Sequence, residues 1–228
     1  MRRALKIAEL FYSIQGEGSL VGVPSVFIRT SGCNLRCAWC DTPYTSWQPE
    51  GTDLELDRIL DEVAAHPVRH VVVTGGEPMI APDIIALTGR LRALGKHITI
   101  ETAGTVFEPV ACDLMSISPK LANSTPEDPR WSRQHERLRI QPAVLLELMA
   151  RYEYQLKFVI QRADDLDEVR SLVELLSADR ERVILMPEGT DSDRLRERGV
   201  WLAEVCKEEG FRFSPRLHVD LWGNRRAV

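Results

Sequence analysis

The sequence predicts an α/β fold, an incomplete (β/α)6 barrel in which parallel strands are covered by outer helices. Apolar, β-rich runs alternate with helical patterns along almost the whole chain, as parallel strands with outer helices require. Six such units fall short of the eight in a full barrel, and 228 residues fall short of the roughly 250 that a full barrel usually has. A doubly wound open sheet is the alternative that the same pattern allows.

The predicted strands are short runs rich in branched apolar residues, bounded by polar or turn-forming residues. They cover residues 25–30, 70–74, 97–102, 114–118, 155–160 and 182–186. In the first run, side chains alternate between two faces, with Phe27 and Arg29 on one and Ile28 on the other. A charge beside a phenylalanine on a strand of a packed domain indicates the barrel interior.

Four helices are predicted from apolar side chains at helical spacing. The apolar stripes lie within residues 56–63, 84–94, 166–176 and 195–205. Thr52 and Glu55 have the spacing of a capping box before the first helix. Pro82 opens the second helix and Gly95 stops it, while Gly210 ends the last one.

The chain shows no internal repeat, low-complexity tract or linker, so residues 1–228 are predicted to form one domain. The stretch 121–141 is polar and marked by prolines, which predicts a long loop or an irregular insertion.

Composition indicates a globular enzyme of the cytoplasm. Apolar residues make up 44% and charged residues 28% of the chain, and the net charge of −5 argues against a nucleic-acid or anionic-membrane surface. Arg2 and Arg3 precede only a short and polar segment, which predicts no signal peptide, and no apolar run approaches the ~20 residues that span a bilayer. The odd count of five cysteines fits a reducing compartment.

Polar and glycine-rich segments follow the predicted strands at the ends where α/β folds bind ligands. The segments after the first, second, third, fourth and sixth strands are, in that order, the cysteine loop 31–42, Gly75-Gly76-Glu77-Pro78, Glu101-Thr102, Ser118-Pro119-Lys120 and Met186-Pro187-Glu188-Gly189. We therefore expect these segments to meet at one site.

Three cysteines, Cys33, Cys37 and Cys40, stand in the spacing C-x3-C-x2-C without a fourth. Three thiolates can hold three irons of a cubane cluster and leave the fourth iron open to a chelating ligand. A structural zinc site is the alternative, and it needs a fourth ligand such as His66 or His70. The isolated Cys112 and Cys206 are predicted to be structural.

These motifs resemble those of radical S-adenosylmethionine enzymes. The cysteine spacing, with Trp39 before the last cysteine, resembles the cluster motif, and Gly75-Gly76-Glu77-Pro78 resembles the second hallmark, which receives the methionyl amino group. The segment "FYSIQGEGSLVGVPSVFIRTSGCNLRCAWCDT", with "ETAGT", "SISPK" and "RLHVDLWGN", resembles the 7-carboxy-7-deazaguanine synthase family of queuosine biosynthesis. The resemblance implies an incomplete barrel of the radical S-adenosylmethionine type.

That family resemblance implies a ring-contracting lyase reaction. The substrate 6-carboxy-5,6,7,8-tetrahydropterin becomes 7-carboxy-7-deazaguanine with loss of ammonia. The implied cofactors are a 4Fe-4S cluster held by Cys33, Cys37 and Cys40, S-adenosyl-L-methionine, and Mg²⁺ held by Thr42. Without the resemblance, Thr42 is predicted to be a turn residue whose hydroxyl caps the chain before Pro43.

The resemblance also implies which residues hold S-adenosylmethionine. They are Trp39, Cys40, Asp41, Gly76, Glu77, Ser118, Pro119 and Lys120. Alternatively, Asp41 caps a turn and Trp39 belongs to the apolar core. Glu101 is compatible either with ribose hydroxyls or with an ion pair to Lys120 or Lys157.

For the substrate, the resemblance implies contacts from Ile14, Gln15, Gly16 and Glu17, although "QGEG" alone is also compatible with a flexible loop. Thr74 is positioned either to hydrogen-bond the pterin or to cap a turn. An arginine inside the barrel is costly without a partner, and a substrate carboxylate fits Arg29 as a bidentate one. An ion pair with Glu17 or Glu101 is the alternative for Arg29.

The implied partners are the small pterin and an external one-electron donor of the flavodoxin or ferredoxin type, and the family suggests a homodimer. Two other functions share the cysteine motif or the cluster. A glycyl-radical-enzyme activase has the same cysteine spacing but leaves "QGEG" unexplained. A non-catalytic iron–sulfur electron carrier normally saturates its cluster with four cysteines.

Overall fold

The computed structural model describes residues 4–228, so Arg2 and Arg3 lie outside the described residues. Nine strands of this part of the chain form one sheet. They are Ala4–Ile14 (β1), Pro24–Thr30 (β2), Thr52–Glu55 (β3), His70–Gly75 (β4), His97–Thr102 (β5), Leu114–Ile117 (β6), Tyr154–Ile160 (β7), Val183–Pro187 (β8) and Arg212–Phe213 (β9). All six predicted strands are present, within two residues of their predicted ends.

The strand order is β3-β1-β2-β4-β5-β6-β7-β8-β9. From β2 to β9 every neighbouring pair is parallel, and the strands lie side by side in chain order. A doubly wound sheet would reverse its order at a switch point, so that alternative is wrong. The sheet has two separate edges, β3 and β9, which confirms an incomplete barrel.

Eight helices accompany the strands in residues 4–228. They are Pro43–Ser46 (α1), Leu56–Ala64 (α2), Ile84–Ala93 (α3), Pro129–Leu138 (α4), Pro142–Arg151 (α5), Asp165–Leu175 (α6), Ser192–Glu209 (α7) and Leu217–Trp222 (α8). Helix α2 buries the predicted stripe that includes Ile59 and Val63. Helix α7 ends at Gly210 in the left-handed conformation, as predicted.

Three expectations about local structure need correction. Residues 52–55 are strand β3, with Thr52 paired opposite Ile7, so Thr52 does not cap α2. Helix α3 begins at Ile84, two residues after Pro82. The stretch 121–141 is not irregular, because it holds a 3₁₀ turn at Ala122–Ser124 and helix α4. Proline at the first position of α4 starts a helix here instead of breaking one.

The core lies between the sheet and the outer helices. Fully buried side chains of the strands, such as Ile28, Val73 and Phe158, pack with Leu91 of α3 and Leu148 of α5. Strand β1 was not predicted from sequence, and it pairs antiparallel with β2 through a bulge between Ile7 and Glu9. Within the described residues, no helix combines the length and the apolar character that crossing a membrane demands.

Candidate active site

A cavity of about 490 Å³ opens at the carboxyl ends of the parallel strands. Side chains from the ends of β2, β4, β5, β6, β7 and β8 line it, and so does the cysteine loop. Every residue that the sequence predicted for cluster, cofactor, magnesium or substrate lies on this cavity except Glu77 and Pro119. The structure therefore brings the predicted residues together around one cavity, and it adds the contacts between them.

The three clustered cysteines are free thiols on the cavity wall. Cys37 is buried beside Leu35 and Ala103, with Cys33 and Cys40 packed against the same apolar group. Burial raises the pKa of the Cys33 and Cys37 thiols to about 12. Metal binding must therefore displace protons from these thiols, and the resulting thiolates would be shielded from water.

The zinc alternative lacks the fourth ligand that it needs. His66 stacks on Tyr12 and His70 lies against His97 at the start of β4, the end of the strand remote from the cysteine loop. Among residues 4–228 there is no group of three or more His, Cys, Asp or Glu arranged around a single metal ion. Three free cysteines without a fourth ligand in the described part of the chain suit a cluster, in which each cysteine binds its own iron.

Lys120 contacts both Trp39 and Ser118 beside the cysteines. The Lys120 ammonium donates to Ser118 Oγ at 2.8 Å and lies 5.7 Å from the centre of the Trp39 ring. The Trp39 indole N–H donates to the Asn123 carbonyl at 3.0 Å. One wall of the cavity thus combines an aromatic face, a hydroxyl and a cation, groups that suit a nucleoside with a charged tail.

The Gly-Gly-Glu-Pro turn approaches the cysteine loop very closely. Gly75 has a φ of 140°, and a Cβ on Gly76 would collide with the Gly32 carbonyl, so both positions require glycine. The Glu77 side chain is fully buried and accepts hydrogen bonds from Met79 N, the Thr102 hydroxyl and Ala103 N at 2.7–3.1 Å.

Two residues predicted to contact the cofactor, Glu77 and Pro119, lie outside the cavity lining. The Glu77 carboxylate is outside the cavity lining and joins the ends of β4 and β5, which is a structural role. Burial raises the pKa of Glu77, although its three donors oppose that effect. Pro119 is also outside the lining, between the lining residues Ser118 and Lys120. The residues of this turn that line the cavity are Gly75 and Gly76.

Glu101 joins two of the predicted substrate residues. Its carboxylate accepts from the Gln15 amide at 3.0 Å and from the Thr74 hydroxyl at 2.8 Å. These hydrogen bonds replace the ion pairs with Lys120 or Lys157 that were considered from sequence. They fix a polar wall that can both donate and accept hydrogen bonds.

Arg29 lies on the cavity side of β2, together with Phe27, as the strand alternation predicted. Its Nε is 2.7 Å from Glu9 Oε2, an ion pair whose N–H is not aligned for a hydrogen bond. The Tyr44 hydroxyl donates to the same Glu9 oxygen at 2.7 Å. The acidic partner is thus Glu9 of β1, and neither Glu17 nor Glu101.

Sequence reasoning missed Arg216, the most connected charge of the site. It is buried, its Nε donates to Glu17 Oε1 at 3.0 Å, and it also forms an ion pair with Asp41. Its Nη1 donates to the Gly189 carbonyl at 2.6 Å. Arg216 thereby ties the turn after β1, the end of the cysteine loop and the loop after β8 to one another.

The charges around Arg216 stay ionised despite their burial. Burial by itself would raise the pKa of Glu17, but Lys157 and Arg216 outweigh it and hold this pKa well below its usual range. For Asp41 burial also opposes ionisation, and Arg216 again lowers the pKa. The only sequence signal for Arg216 was its place at the start of the motif "RLHVDLWGN". Lys157, which pairs with Glu17, was considered from sequence only for Glu101.

The carboxyl-terminal residues 224–228 also line the cavity, and no role was assigned to them from sequence. Arg226 lies over the Tyr44 ring and its Nη2 is 3.1 Å from Glu50 Oε2. This end of the chain therefore covers the side of the cavity near Thr42 and Tyr44.

Comparisons with known proteins agree with this site. A sequence model of the Radical SAM superfamily matches residues 27–123, which include the three cysteines. The 7-carboxy-7-deazaguanine synthase of Halobacterium salinarum is 47% identical, over 97% of this chain and 91% of the relative. That of Rhodopirellula baltica is 46% identical, over 99% of this chain and 89% of the relative.

A solved structure agrees as well. The crystal structure of QueE from Escherichia coli superposes with a TM-score of 0.70 at 28% identity, over 94% of this chain and 95% of that one. Membership of the superfamily implies a 4Fe-4S cluster, S-adenosylmethionine, a small-molecule substrate and an external electron donor. On its sequence, its fold and its cysteine-lined cavity, the chain belongs to the 7-carboxy-7-deazaguanine synthase family of radical S-adenosylmethionine enzymes.

Proposed function

We propose that this protein converts 6-carboxy-5,6,7,8-tetrahydropterin to 7-carboxy-7-deazaguanine with loss of ammonia, in queuosine or other deazapurine biosynthesis. The name of its relatives suggests this reaction. The observation that carries the proposal is that the three cysteines, Arg29 and the turn 14–17 line a single cavity. Cluster, cofactor and substrate can therefore meet there.

Cys33, Cys37 and Cys40 are the proposed cluster ligands, because they are the free thiols on the cavity wall and their surroundings are apolar. When bound, the reduced cluster supplies the electron that cleaves S-adenosylmethionine and so starts the radical reaction. The chain's own residues must orient the cofactor and the substrate, and must keep water away from them.

S-Adenosylmethionine is proposed to lie against Trp39, Asp41, Gly76, Ser118 and Lys120. The Trp39 face suits the adenine ring, while the Ser118 hydroxyl and the Lys120 ammonium suit polar and anionic groups of the ligand. The backbone at Gly76 can come close to the methionyl group because no Cβ intervenes.

The tetrahydropterin is proposed to lie between β1, β2 and β4. Gln15 and Thr74, oriented by Glu101, offer hydrogen-bonding groups to the heterocycle edge, and Ile14, Gly16 and Glu17 complete that turn. Arg29 keeps its terminal guanidinium nitrogens for the substrate carboxylate while its Nε faces Glu9. The site thus recognises the substrate at both ends.

Mg²⁺ is proposed to bind at Thr42 together with the substrate. The Thr42 side chain lines the cavity, with Oγ1 3.9 Å from Cys40 Sγ and 3.5 Å from Thr45 Oγ1. Mg²⁺ often takes few protein ligands and completes its shell with water and substrate oxygens. The carboxylate of the substrate would supply further oxygen ligands and negative charge to the ion.

Three further properties follow from family membership and are proposed with it. The electron donor is a flavodoxin or a ferredoxin, the enzyme is a homodimer, and it works in the cytoplasm. The free state of all five cysteines supports a reducing compartment. Apolar side chains exposed on helices, such as Leu146, Leu175 and Val200, are available to an interface.

The test of the proposed function separates it from the two rivals. The anaerobically reconstituted protein is mixed with S-adenosylmethionine and dithionite, and 5′-deoxyadenosine is measured. An electron carrier produces none. Addition of the tetrahydropterin should then yield 7-carboxy-7-deazaguanine, whereas a glycyl-radical activase would leave the pterin unchanged.

A further inference from the structure

The cysteine loop is held by a segment that lies outside the active-site motifs. Helix α4 and the 3₁₀ turn before it contact the loop between the first and last cysteine. His135 of α4 accepts a hydrogen bond from the Arg36 N–H at its Nδ1, at 3.2 Å. The Ser124 carbonyl accepts from the Ala38 N–H at 2.8 Å. Both backbone groups are direct neighbours of Cys37.

Both ring nitrogens of His135 take part in this contact. It is 1% exposed, and its Nε2 lies 2.9 Å from Ser124 Oγ. The Ser124 hydroxyl donates to the Leu121 carbonyl at 2.6 Å, so its oxygen can accept from the Nε2–H of His135. One neutral tautomer, with the proton on Nε2, satisfies every hydrogen bond in this chain from Arg36 to Leu121.

The Arg36 side chain adds a second connection between the loop and α4. Its Nη1 donates to the carbonyls of Cys33 and Leu35 at 2.8 and 2.7 Å. Its guanidinium lies 4.7 Å from the centre of the Trp131 ring of α4. The backbone at residues 33, 35, 36 and 38 is thus restrained by α4 and the turn before it, directly or through Arg36.

We propose that His135 is the positioning residue of the cluster loop: its Nδ1 fixes the Arg36 amide and so sets the direction in which Cys37 presents its sulfur to the cluster. The inference rests on the proposed assignment of Cys33, Cys37 and Cys40 as cluster ligands. A ligand loop that is held in place before iron arrives loses less conformational freedom on binding, and it keeps the cluster longer.

The test uses two substitutions at His135 that differ in one acceptor. In His135→Asn the side-chain oxygen takes the place of Nδ1 and can still accept from Arg36. His135→Phe keeps a ring and loses both nitrogens. Thr88→Val is the matched control. Thr88 of helix α3 is fully buried, and its hydroxyl likewise accepts a hydrogen bond from a backbone N–H, that of Ala111, at 3.1 Å.

The readout is the rate at which the reconstituted holoprotein loses iron to a ferrous chelator under anaerobic conditions, together with the electron paramagnetic resonance spectrum of the reduced cluster. We expect roughly tenfold faster loss and a broadened spectrum in His135→Phe, the size of effect that loss of the hydrogen bond from the Arg36 N–H predicts. His135→Asn should lie close to the native protein, and Thr88→Val should match it.

Two results would contradict the inference, and both differ from the result expected if the three cysteines are not the cluster ligands. Equal rates and spectra in native protein, His135→Asn and His135→Phe would show that His135 does not position the loop. Equally fast loss in Thr88→Val would assign the effect to general destabilisation. If the native protein binds no cluster at all, the ligand assignment itself is wrong.

Discussion

Asp41, the residue after the last cysteine of the motif, forms an ion pair with Arg216, which lies 175 positions later in the chain. The same guanidinium contacts Glu17 of the proposed substrate turn. The proposed cofactor side and the proposed substrate side of the cavity therefore share one buried cation. Any change at Arg216 will act on both.

Removal of this cation leaves Asp41 without its ion-pair partner and leaves Glu17 with only Lys157. Arg216→Met should lower the free energy of unfolding by about 3–5 kcal/mol, the usual cost of breaking a buried ion pair. Urea unfolding of the anaerobic apoprotein measures it. The double variant Arg216→Met, Asp41→Asn should recover part of the loss because one unpaired charge is gone. A single variant as stable as the native protein would show that the ion pairs contribute nothing.

Stability should fall in mild acid because of His135. Burial lowers the pKa of His135 to about 4, from 6.5 in an exposed histidine. The unfolded chain therefore binds a proton that the folded chain excludes, and the contribution is complete above pH 6.5 and lost as the pH falls toward 4. Unfolding of the apoprotein across this range should show a smaller loss in His135→Asn. An identical pH dependence in both proteins would contradict this account.

Arg29 should matter for the substrate and not for the cofactor. Arg29→Gln removes a charge-assisted contact and should weaken tetrahydropterin binding by about 2–4 kcal/mol, or roughly 30- to 1000-fold. S-Adenosylmethionine binding should stay within a factor of about two, since neither Arg29 nor Glu9 belongs to the proposed cofactor wall. Equilibrium binding of each ligand to the unreduced holoprotein measures both. Normal pterin binding in Arg29→Gln would make the arginine purely structural.

Glu9 provides a second test of the same pose. Glu9→Gln keeps the shape and removes the competing negative charge, so Arg29 should remain able to bind the carboxylate. We expect a much smaller effect than that of Arg29→Gln. Equal losses in the two variants would mean that the ion pair itself, and not the free guanidinium nitrogens, is what the substrate needs.

Thr42 should make turnover depend on magnesium. In the native protein Mg²⁺ should raise turnover and tighten pterin binding, and in Thr42→Val the response should be much smaller because the hydroxyl ligand is gone. Uncoupled cleavage of S-adenosylmethionine should change little, since the cluster ligands remain. An equal magnesium response in both proteins would exclude Thr42 as a ligand.

The sequence predicted that the segments after the strands meet, because parallel strands bring their carboxyl ends together, and these segments do line one cavity. Period-two alternation predicted the face on which Arg29 lies, whereas its pairing with Thr74 in the register of β2 and β4 is seen only in the structure. Polar contacts between residues far apart in the chain could not be predicted from the sequence. Nothing local in the sequence pairs Asp41 with Arg216, or Arg36 with His135, because these contacts exist only once distant loops have folded together.

Helix α4 illustrates a different limit. Its polar composition matches that of an exposed loop, and His135 is the only residue of this helix that is fully buried. A helix that buries one side chain has almost no apolar periodicity to detect. Glu77 shows a similar limit. The motif predicted that its carboxylate would face the cofactor, but a motif gives residue types and not the direction in which a side chain points.

The most direct measurement is product formation by the holoprotein and by cysteine variants. With tetrahydropterin, S-adenosylmethionine, Mg²⁺ and a reductant, mass spectrometry should detect 7-carboxy-7-deazaguanine from the native protein and from Cys206→Ala. Cys33→Ala, Cys37→Ala and Cys40→Ala should each lack the cluster and form no product. A native holoprotein that cleaves S-adenosylmethionine but leaves the tetrahydropterin intact, or a cysteine variant that still forms the product, would contradict the account.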